Sequence, residues 1–282
     1  MNARTPLHRA ITHRTRGSTH GPITRLVSPS DLGQVLKPFI FLDRFESPAG
    51  GQPPQFGMHP HSGIATLTYL IHGQAGYEDT TGEHGARGTL PTGGVEWMMA
   101  GGGGGVWHTG APVNTEHVLG FQLWVAMPPT LELATAHSIY LGPESVPRVG
   151  PARVLLGSYG GQTSAIPAPS SMTYLGVHLK AGETWFFEPP QGHTVVWMAV
   201  GEGVLNTPTA LSTGDLVAFD ASGSAIAFEA QSDTAFVLGS GVQHPHDLFM
   251  GPYSVHTSDE TLRQGQAGIR ERARWLRQQG RL

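Results

Sequence analysis

The sequence predicts an all-β fold, and three observations support that prediction. Charged residues make up only 13% of the 282-residue chain, while hydrophobic residues make up 39%, enough for packed cores. Glycine (39 residues) and proline (22 residues) are abundant and interrupt the chain at short intervals. The apolar stretches between them are rich in β-branched and aromatic residues and too short for ordinary helices, so each is predicted to be a strand.

The predicted strands lie on both sides of a proline-rich connection at residues 127–151. They are residues 39–42, 65–71 and 118–126, and then 172–179, 184–187, 195–200, 216–220, 225–228 and 235–238. Each half contains a strand that ends in glycine and a later glycine-containing turn into another strand, at residues 69–97 and 196–219. This repeated pattern predicts a duplicated barrel, with one domain at residues 1–134 and another at residues 135–282.

The end of the chain is predicted to form a helix at residues 259–279. Residues 257–260 (TSDE) have the spacing of a helix-capping sequence. Leu262, Ile269 and Leu276 recur every seven residues and should face inward, while Gly265 and Gly268 should weaken the helix. The arginines of this segment are interpreted as a solvated face rather than as a nucleic-acid surface.

The strongest chemical signal is the pair His59 and His61, separated by Pro60. Residues two apart on a strand point to the same face, so both imidazoles would enter one barrel interior. A hairpin returning from residues 96–99 would bring His108 beside that strand. Three neutral imidazoles would then bind one divalent first-row metal ion and leave coordination positions open. The alternative is that these are solvated histidines at the mouth of the barrel.

The motifs around these histidines resemble the pirin family of the cupin superfamily over nearly the whole chain. The matching segments are residues 41–45 (FLDRF), 57–63 (GMHPHSG), 68–70 (TYL), 94–101 (GVEWMMAG), His108, 121–125 (FQLWV) and 251–255 (GPYSV). The resemblance implies two cupin-type β-barrels, a bicupin, with a C-terminal α-helix. It also implies one divalent transition metal in the N-terminal barrel only, held by His59, His61 and His108. Iron is the metal that the resemblance implies, and zinc, nickel, copper and manganese are compatible with the same ligands.

The family resemblance implies dioxygenase activity on a flavonol such as quercetin, with a small aromatic substrate and dioxygen as partners. Animal members are linked instead to transcription. The alternative function is therefore a non-enzymatic regulatory or binding protein with a structural or redox-sensing metal and a protein partner. A solvent-open pocket with apolar walls beside the metal would favour the enzyme, and a filled barrel would favour the binding protein.

The chain departs from the family at two positions where a carboxylate is usual. Ala65 stands four residues after the second histidine, and Gly110 stands two residues after the third. Glu116 and His117 are the local candidates for a replacement ligand, and they and His72 are the candidates for a general base. No catalytic residue is assigned. The strand around Glu96 is interpreted as packing.

Composition excludes several other classes of protein. The chain has no cysteine, which excludes disulfides, thiolate metal sites and a cysteine nucleophile. Its formal net charge of −4 gives no basis for direct nucleic-acid binding, and no apolar run is long enough to span a membrane. A cytoplasmic location is the expectation.

A second pair, His244 and His246, is predicted to lie in a surface loop and not to bind metal.

Overall fold

The computed structural model describes residues 9–50, 56–82, 85–101, 105–113 and 117–282. Most of these residues are in antiparallel strands. The strands are β1 Ile11–Thr15, β2 Ser18–His20, β3 Ile23–Val27, β4 Phe39–Ser47, β5 Phe56–His61, β6 Ile64–His72, β7 Ala75–Asp79, β8 Arg87–Leu90, β9 Val95–Ala100, β10 Val106–Pro112, β11 Val118–Ala126, β12 His137–Leu141, β13 Arg148–Val149, β14 Ala152–Tyr159, β15 Gln162–Thr163, β16 Met172–Leu179, β17 Thr184–Phe187, β18 Val195–Glu202, β19 Val204–Asn206, β20 Ala210–Ser212, β21 Leu216–Phe219, β22 Ile226–Ala230, β23 Thr234–Gly241, β24 Phe249–Gly251 and β25 Ser254–His256. The α-helices are α1 Leu32–Leu36 and α2 Asp259–Gln278, and a 3₁₀ turn covers Pro143–Ser145.

The chain divides into two compact units that interleave along the sequence. The first unit contains residues 18–146 and 244–282, and the second contains residues 1–17 and 147–243. This division differs from the boundary between residues 134 and 135 expected from the sequence. Helix α2 belongs to the first unit because it packs on β24, β25 and β10, and β1 belongs to the second because it pairs with β21.

Each unit contains a large antiparallel sheet and a four-stranded sheet, and the strand orders repeat. The first unit has β12-β9-β6-β11-β4-β3-β2 and β5-β10-β7-β8. The second has β1-β21-β18-β23-β16-β14-β13, with β15 beside β14, and β17-β22-β19-β20. The segments β9-β6-β11-β4 and β21-β18-β23-β16 correspond strand by strand, as do the two four-stranded sheets. This is a bicupin fold with a C-terminal helix, as the sequence predicted.

Apolar side chains fill the interior of the second unit. In the strand order, β17 and β22 correspond to β5 and β10, and Trp185 of β17 lies opposite Phe228 of β22. The rings of Trp185 and Phe228 stack with centroids 5.6 Å apart, and Phe187 is fully buried beside them. The segment at residues 172–179 is β16, which corresponds to β4 in the strand order.

Helix α2 begins and ends close to where the sequence predicted. Ser258 caps it, because its hydroxyl accepts a hydrogen bond from the amide of Thr261 (3.2 Å). Ile269 and Leu276 are buried and Leu262 is half-buried, so the predicted face does turn inward. Across the described ranges, no helix combines the length and the apolar character needed to cross a membrane.

Candidate metal centre

Two antiparallel strands of the first unit bring the three histidines together. His59 and His61 share one face of β5, and β10 pairs with β5 so that His108 lies directly opposite His59. The Nε2 atom of His108 lies 3.0 Å from Nε2 of His59 and 3.1 Å from Nε2 of His61. Within the described residues, these three side chains are the only cluster whose ligand atoms all lie within 4.8 Å of one another.

Backbone carbonyl groups determine which ring nitrogen of His59 and of His61 is free to bind a metal ion. Nδ1 of His59 donates to the carbonyl of Gly57 (2.7 Å), and Nδ1 of His61 donates to the carbonyl of Tyr253 (3.1 Å). Because a carbonyl only accepts, both Nδ1 atoms carry the proton and both Nε2 atoms present a lone pair. His108 can donate one hydrogen at most toward these two acceptors. A bound cation would satisfy all three nitrogens, so the donor set fits a metal ion.

Burial keeps the imidazoles of His59 and His61 neutral, which is the protonation state that binds metal. Burial and the neighbouring His108 lower the pKa of His59 to about 4. Burial lowers the pKa of His61 well below its ordinary value, and the two neighbouring histidines act in the same direction. No deprotonation cost therefore opposes metal binding by His59 and His61 at neutral pH.

The separation of the nitrogens matches the bonds of a first-row transition metal. Two bonds of about 2.1 Å at right angles place their nitrogens about 3.0 Å apart, whereas a tetrahedral angle places them about 3.4 Å apart. The observed 3.0 and 3.1 Å are close to both values, so Nε2 of His108 lies near enough to Nε2 of His59 and of His61 to share one metal ion with them. Such an ion would keep coordination positions beyond the three histidines.

An open cavity of about 580 Å³ lies on one side of the histidines, a volume in the usual range for small-molecule sites. Its wall is aromatic. Phe41 and Trp124 stack with centroids 4.0 Å apart, His61 meets Trp124 edge-on, and Tyr253 lies across from His59. A flat aromatic molecule could pack on this wall beside the Nε2 atoms.

One cation also lines the open cavity. The guanidinium of Arg25 lies over the ring of Phe41 at 4.0 Å and forms a two-pronged ion pair with Asp43, whose longer bond is 3.0 Å. Burial raises the pKa of Asp43, although Arg25 opposes that effect. Polar recognition in this cavity is therefore concentrated at Arg25 and Asp43.

A second, inner cavity of about 50 Å³ is lined by His59 and His108. Its walls are mostly apolar, and Phe45, Phe56 and Leu90 are among them. This volume is enough for a few water-sized molecules only. The two cavities therefore differ in what they admit, and the open cavity alone can hold an aromatic substrate.

Positions 65 and 110, where the family usually has a carboxylate, differ in how they lie relative to the inner cavity. Ala65 lies three residues from Thr68, which lines the inner cavity, so alternation turns position 65 to the opposite face of β6. Gly110 does line the inner cavity, and a Cβ there would have only the carbonyl oxygen of Gly76 nearby, at 3.7 Å. Glu96 supplies a carboxylate from a different strand, with Oε1 3.6 Å from Nδ1 of His108.

The other candidates from the sequence do not join the site. His117 donates through Nε2 to Oε1 of Glu46 (3.0 Å) and lies beside His72, and neither histidine lines the two cavities. Glu116 lies outside the described residues. His244 and His246 occupy a loop as expected, with ring centroids 5.4 Å apart, but His244 is buried rather than at the surface.

Sequence reasoning missed four contributors to the site. Glu96 was interpreted as packing, although a lone carboxylate in an otherwise apolar strand was a signal. Arg25 and Phe41 belong to strands β3 and β4, and nothing local indicated that they would face His61. The carbonyl of Tyr253 comes from a turn 192 residues away, where Tyr253 adopts a left-handed φ of 59°.

Fold and site together define a bicupin with a three-histidine centre in one of its barrels. A sequence model of the family named Pirin matches residues 22–125. A "Pirin-like protein" of Caulobacter vibrioides is 30% identical over 84% of this chain and 87% of its own length. A Pseudomonas aeruginosa protein named "Putative quercetin 2,3-dioxygenase" is 31% identical, again over 84% of this chain and 87% of its own length. The chain belongs to the pirin family.

Solved structures show the same fold. A quercetin 2,3-dioxygenase from Acinetobacter baumannii superimposes with a TM-score of 0.77 at 22% identity, over 94% of this chain and 95% of that one. A bacterial pirin from Escherichia coli in complex with nickel(II) superimposes with a TM-score of 0.62 at 20% identity, over 84% of this chain and 98% of that one. At such identities the likeness establishes the architecture of this chain.

Proposed function

We propose that this protein is a metal-dependent dioxygenase that acts on a flavonol such as quercetin or on a related oxygenated aromatic compound. Iron held by His59, His61 and His108 is the proposed cofactor. The observation that carries the proposal is the open, aromatic-walled cavity beside three converging Nε2 atoms. The Pseudomonas and Acinetobacter relatives, both named for quercetin 2,3-dioxygenase, support the same reaction class.

The residues of the open cavity suit a flat, hydroxylated ring system. The stacked pair Phe41 and Trp124 offers a continuous aromatic surface, and stacking on such a surface orients a planar substrate. Arg25 keeps its ion pair with Asp43 on the same wall, so a substrate hydroxyl or oxyanion would meet a positive charge there. The side chain of Arg25 is 42% exposed and therefore accessible to a ligand.

The three histidines would bind the metal ion, and backbone carbonyl groups orient two of their rings. Iron held by His59, His61 and His108 would supply Lewis acidity and redox capacity at this position. Gly57 and Tyr253 hold two of the rings by their Nδ1 atoms, so the lone pairs stay aimed at one point. A dioxygenase transfers both atoms of one dioxygen molecule to the substrate, so the reaction needs no external reductant.

The alternative, a non-enzymatic binding protein, would fit a filled barrel. The interior beside the histidines instead opens into a cavity of about 580 Å³, which favours the enzyme. In the second unit, the stacked rings of Trp185 and Phe228 lie on the two strands that correspond to β5 and β10. We therefore assign the proposed chemistry to the first unit.

Turnover by metal-defined protein tests the proposal. Protein purified without a histidine tag would be analysed for metals, loaded with Fe(II) under anaerobic conditions, and then given quercetin and ¹⁸O₂. We expect quercetin loss matched by oxygen uptake, and a product that carries two ¹⁸O atoms. His108→Ala should abolish both signals, whereas Glu46→Gln, which changes a carboxylate beside His117 outside both cavities, should not. Folded, metal-loaded protein that consumes no oxygen with quercetin or related catechols would refute the enzymatic proposal.

A further inference from the structure

Glu96 is a buried carboxylate on the inner side of the histidine cluster. It lies on β9, is only 7% exposed, and lines the inner cavity together with His59 and His108. Its Oε1 atom is 3.6 Å from Nδ1 of His108, the nitrogen on the far side of the ring from the cluster. In the part of the chain that the structure describes, His108 is the only basic group paired with this carboxylate.

A carboxylate in such a place needs a nearby positive charge. Removing a carboxylate from water costs several kcal/mol unless a cation or several hydrogen bonds compensate it. At 3.6 Å the contact with His108 exceeds hydrogen-bond length, so a neutral imidazole alone compensates Glu96 poorly. A cation bound to Nε2 of His108 would polarise the ring and turn Nδ1–H into a stronger donor toward Glu96.

We propose that Glu96 is the carboxylate of this metal site, moved to β9 and acting through His108 rather than as a direct ligand. The inference rests on the proposed metal centre and adds a positioning residue to it. Ala65 faces away from the cavity and Gly110 has no side chain, so neither usual position can contribute an anion. With a metal ion bound to Nε2 of His108, Glu96 would attract the Nδ1–H of that ring and would offset part of the charge of the dication.

Glu96 thereby completes the orientation of the three ligands. His59 and His61 donate their Nδ1–H groups to backbone carbonyls, while His108 directs its Nδ1 toward a charged side chain. Carboxylate partners of this kind increase the basicity of a metal-bound imidazole, and their loss commonly weakens metal binding ten- to hundredfold. A metal ion at this site would have three imidazole ligands, and the compensating negative charge of Glu96 would lie on the far side of the His108 ring.

Metal affinity measured on the isosteric variant Glu96→Gln tests this role. In competition titrations of Zn(II) against one chelator, we expect Glu96→Gln to bind about ten- to hundredfold more weakly than wild type. The matched control Glu46→Gln removes the same charge beside His117 in the same unit and should bind like wild type. Adding Gly110→Glu to Glu96→Gln should recover affinity, because position 110 lines the same cavity and has room for a side chain.

A redox measurement separates a charge effect from a packing effect. In iron-loaded protein, the negative charge of Glu96 would stabilise Fe(III) more than Fe(II). Its removal in Glu96→Gln should therefore raise the Fe(III)/Fe(II) midpoint potential. If Glu96→Gln does not fold, Glu96→Asp serves instead, since it keeps the charge but withdraws it from His108 and should weaken affinity less. Wild-type affinity and potential in Glu96→Gln would overturn the role of Glu96, as would equal losses in Glu46→Gln. Wild-type protein that binds no Zn(II) or Fe(II) would overturn the metal centre itself.

Discussion

Replacing Gly265 in helix α2 by alanine should destabilise the helix, although alanine is the better helix former. A Cβ at position 265 would lie 2.3 Å from Oγ of Ser62 and 2.5 Å from Nε2 of His256. These two atoms form a buried hydrogen bond of 2.8 Å, and Ser62 directly follows the proposed ligand His61. The methyl group can be accommodated only if this hydrogen bond opens or the helix moves outward.

The expected magnitude follows from three opposing terms. Glycine to alanine inside a helix gains about 1 kcal/mol. Overpacking a tight contact costs about 1–3 kcal/mol, and a buried polar group left without its partner costs about 1–3 kcal/mol. The net change is a loss of about 1–5 kcal/mol in the free energy that holds α2 in place.

Amide hydrogen exchange across α2 measures this quantity directly, because it reports local opening without assuming that the whole chain unfolds in one step. Gly223→Ala is the matched control, since nothing lies within 4 Å of a Cβ there. Ser62→Ala combined with Gly265→Ala should recover part of the loss, because it removes the closer of the two contacts. Slower exchange in Gly265→Ala, as helix propensity alone predicts, would refute the reasoning.

Three further predictions concern the metal, the cavity and the second unit. Gly110→Glu in the wild-type background should tighten metal binding by about tenfold, or roughly 1.4 kcal/mol, in chelator competition, and unchanged affinity in a folded variant would contradict it. Trp124→Ala should weaken the binding of quercetin to the metal-free protein while leaving metal affinity intact, and calorimetry measures both. Asp215 is buried, and burial alone would raise its pKa, but hydrogen bonds from Arg14 and Arg16 prevail and lower it to about 2. The stability that Asp215 contributes is therefore present above about pH 4 and lost as pH falls toward 2. Asp215→Asn should lower the free energy of unfolding at pH 7 and flatten its decline in that acid range, and an unchanged acid profile would count against this assignment.

The local parts of this structure could be predicted from the sequence, because local patterns determine them. Strands β11, β16 and β17 have the predicted bounds, since runs of β-branched and aromatic residues between turn residues specify extended chain. The shared direction of His59 and His61 follows from the two-residue period of a strand. Helix α2 was equally visible from its cap and its seven-residue apolar spacing.

The role of individual glycines was less predictable. Gly265 was interpreted as a weakness in the helix, whereas it gives Ser62 and His256 the space for their hydrogen bond. That space depends on how α2 docks on the first unit. A propensity scale describes an isolated helix and contains no information on docking.

The sequence by itself determined the fold class, the repeated strand pattern and the three histidines, because each is encoded in a short run of residues. Only the tertiary structure decided that residues 244–282 complete the first unit and that the carbonyl of Tyr253 holds His61. It also decided that Glu96, rather than position 65 or 110, carries the carboxylate beside His108. These contacts depend on the register between strands and on the docking of segments far apart in the chain. Such arrangements are selected by the packing of the whole unit, which no local pattern records.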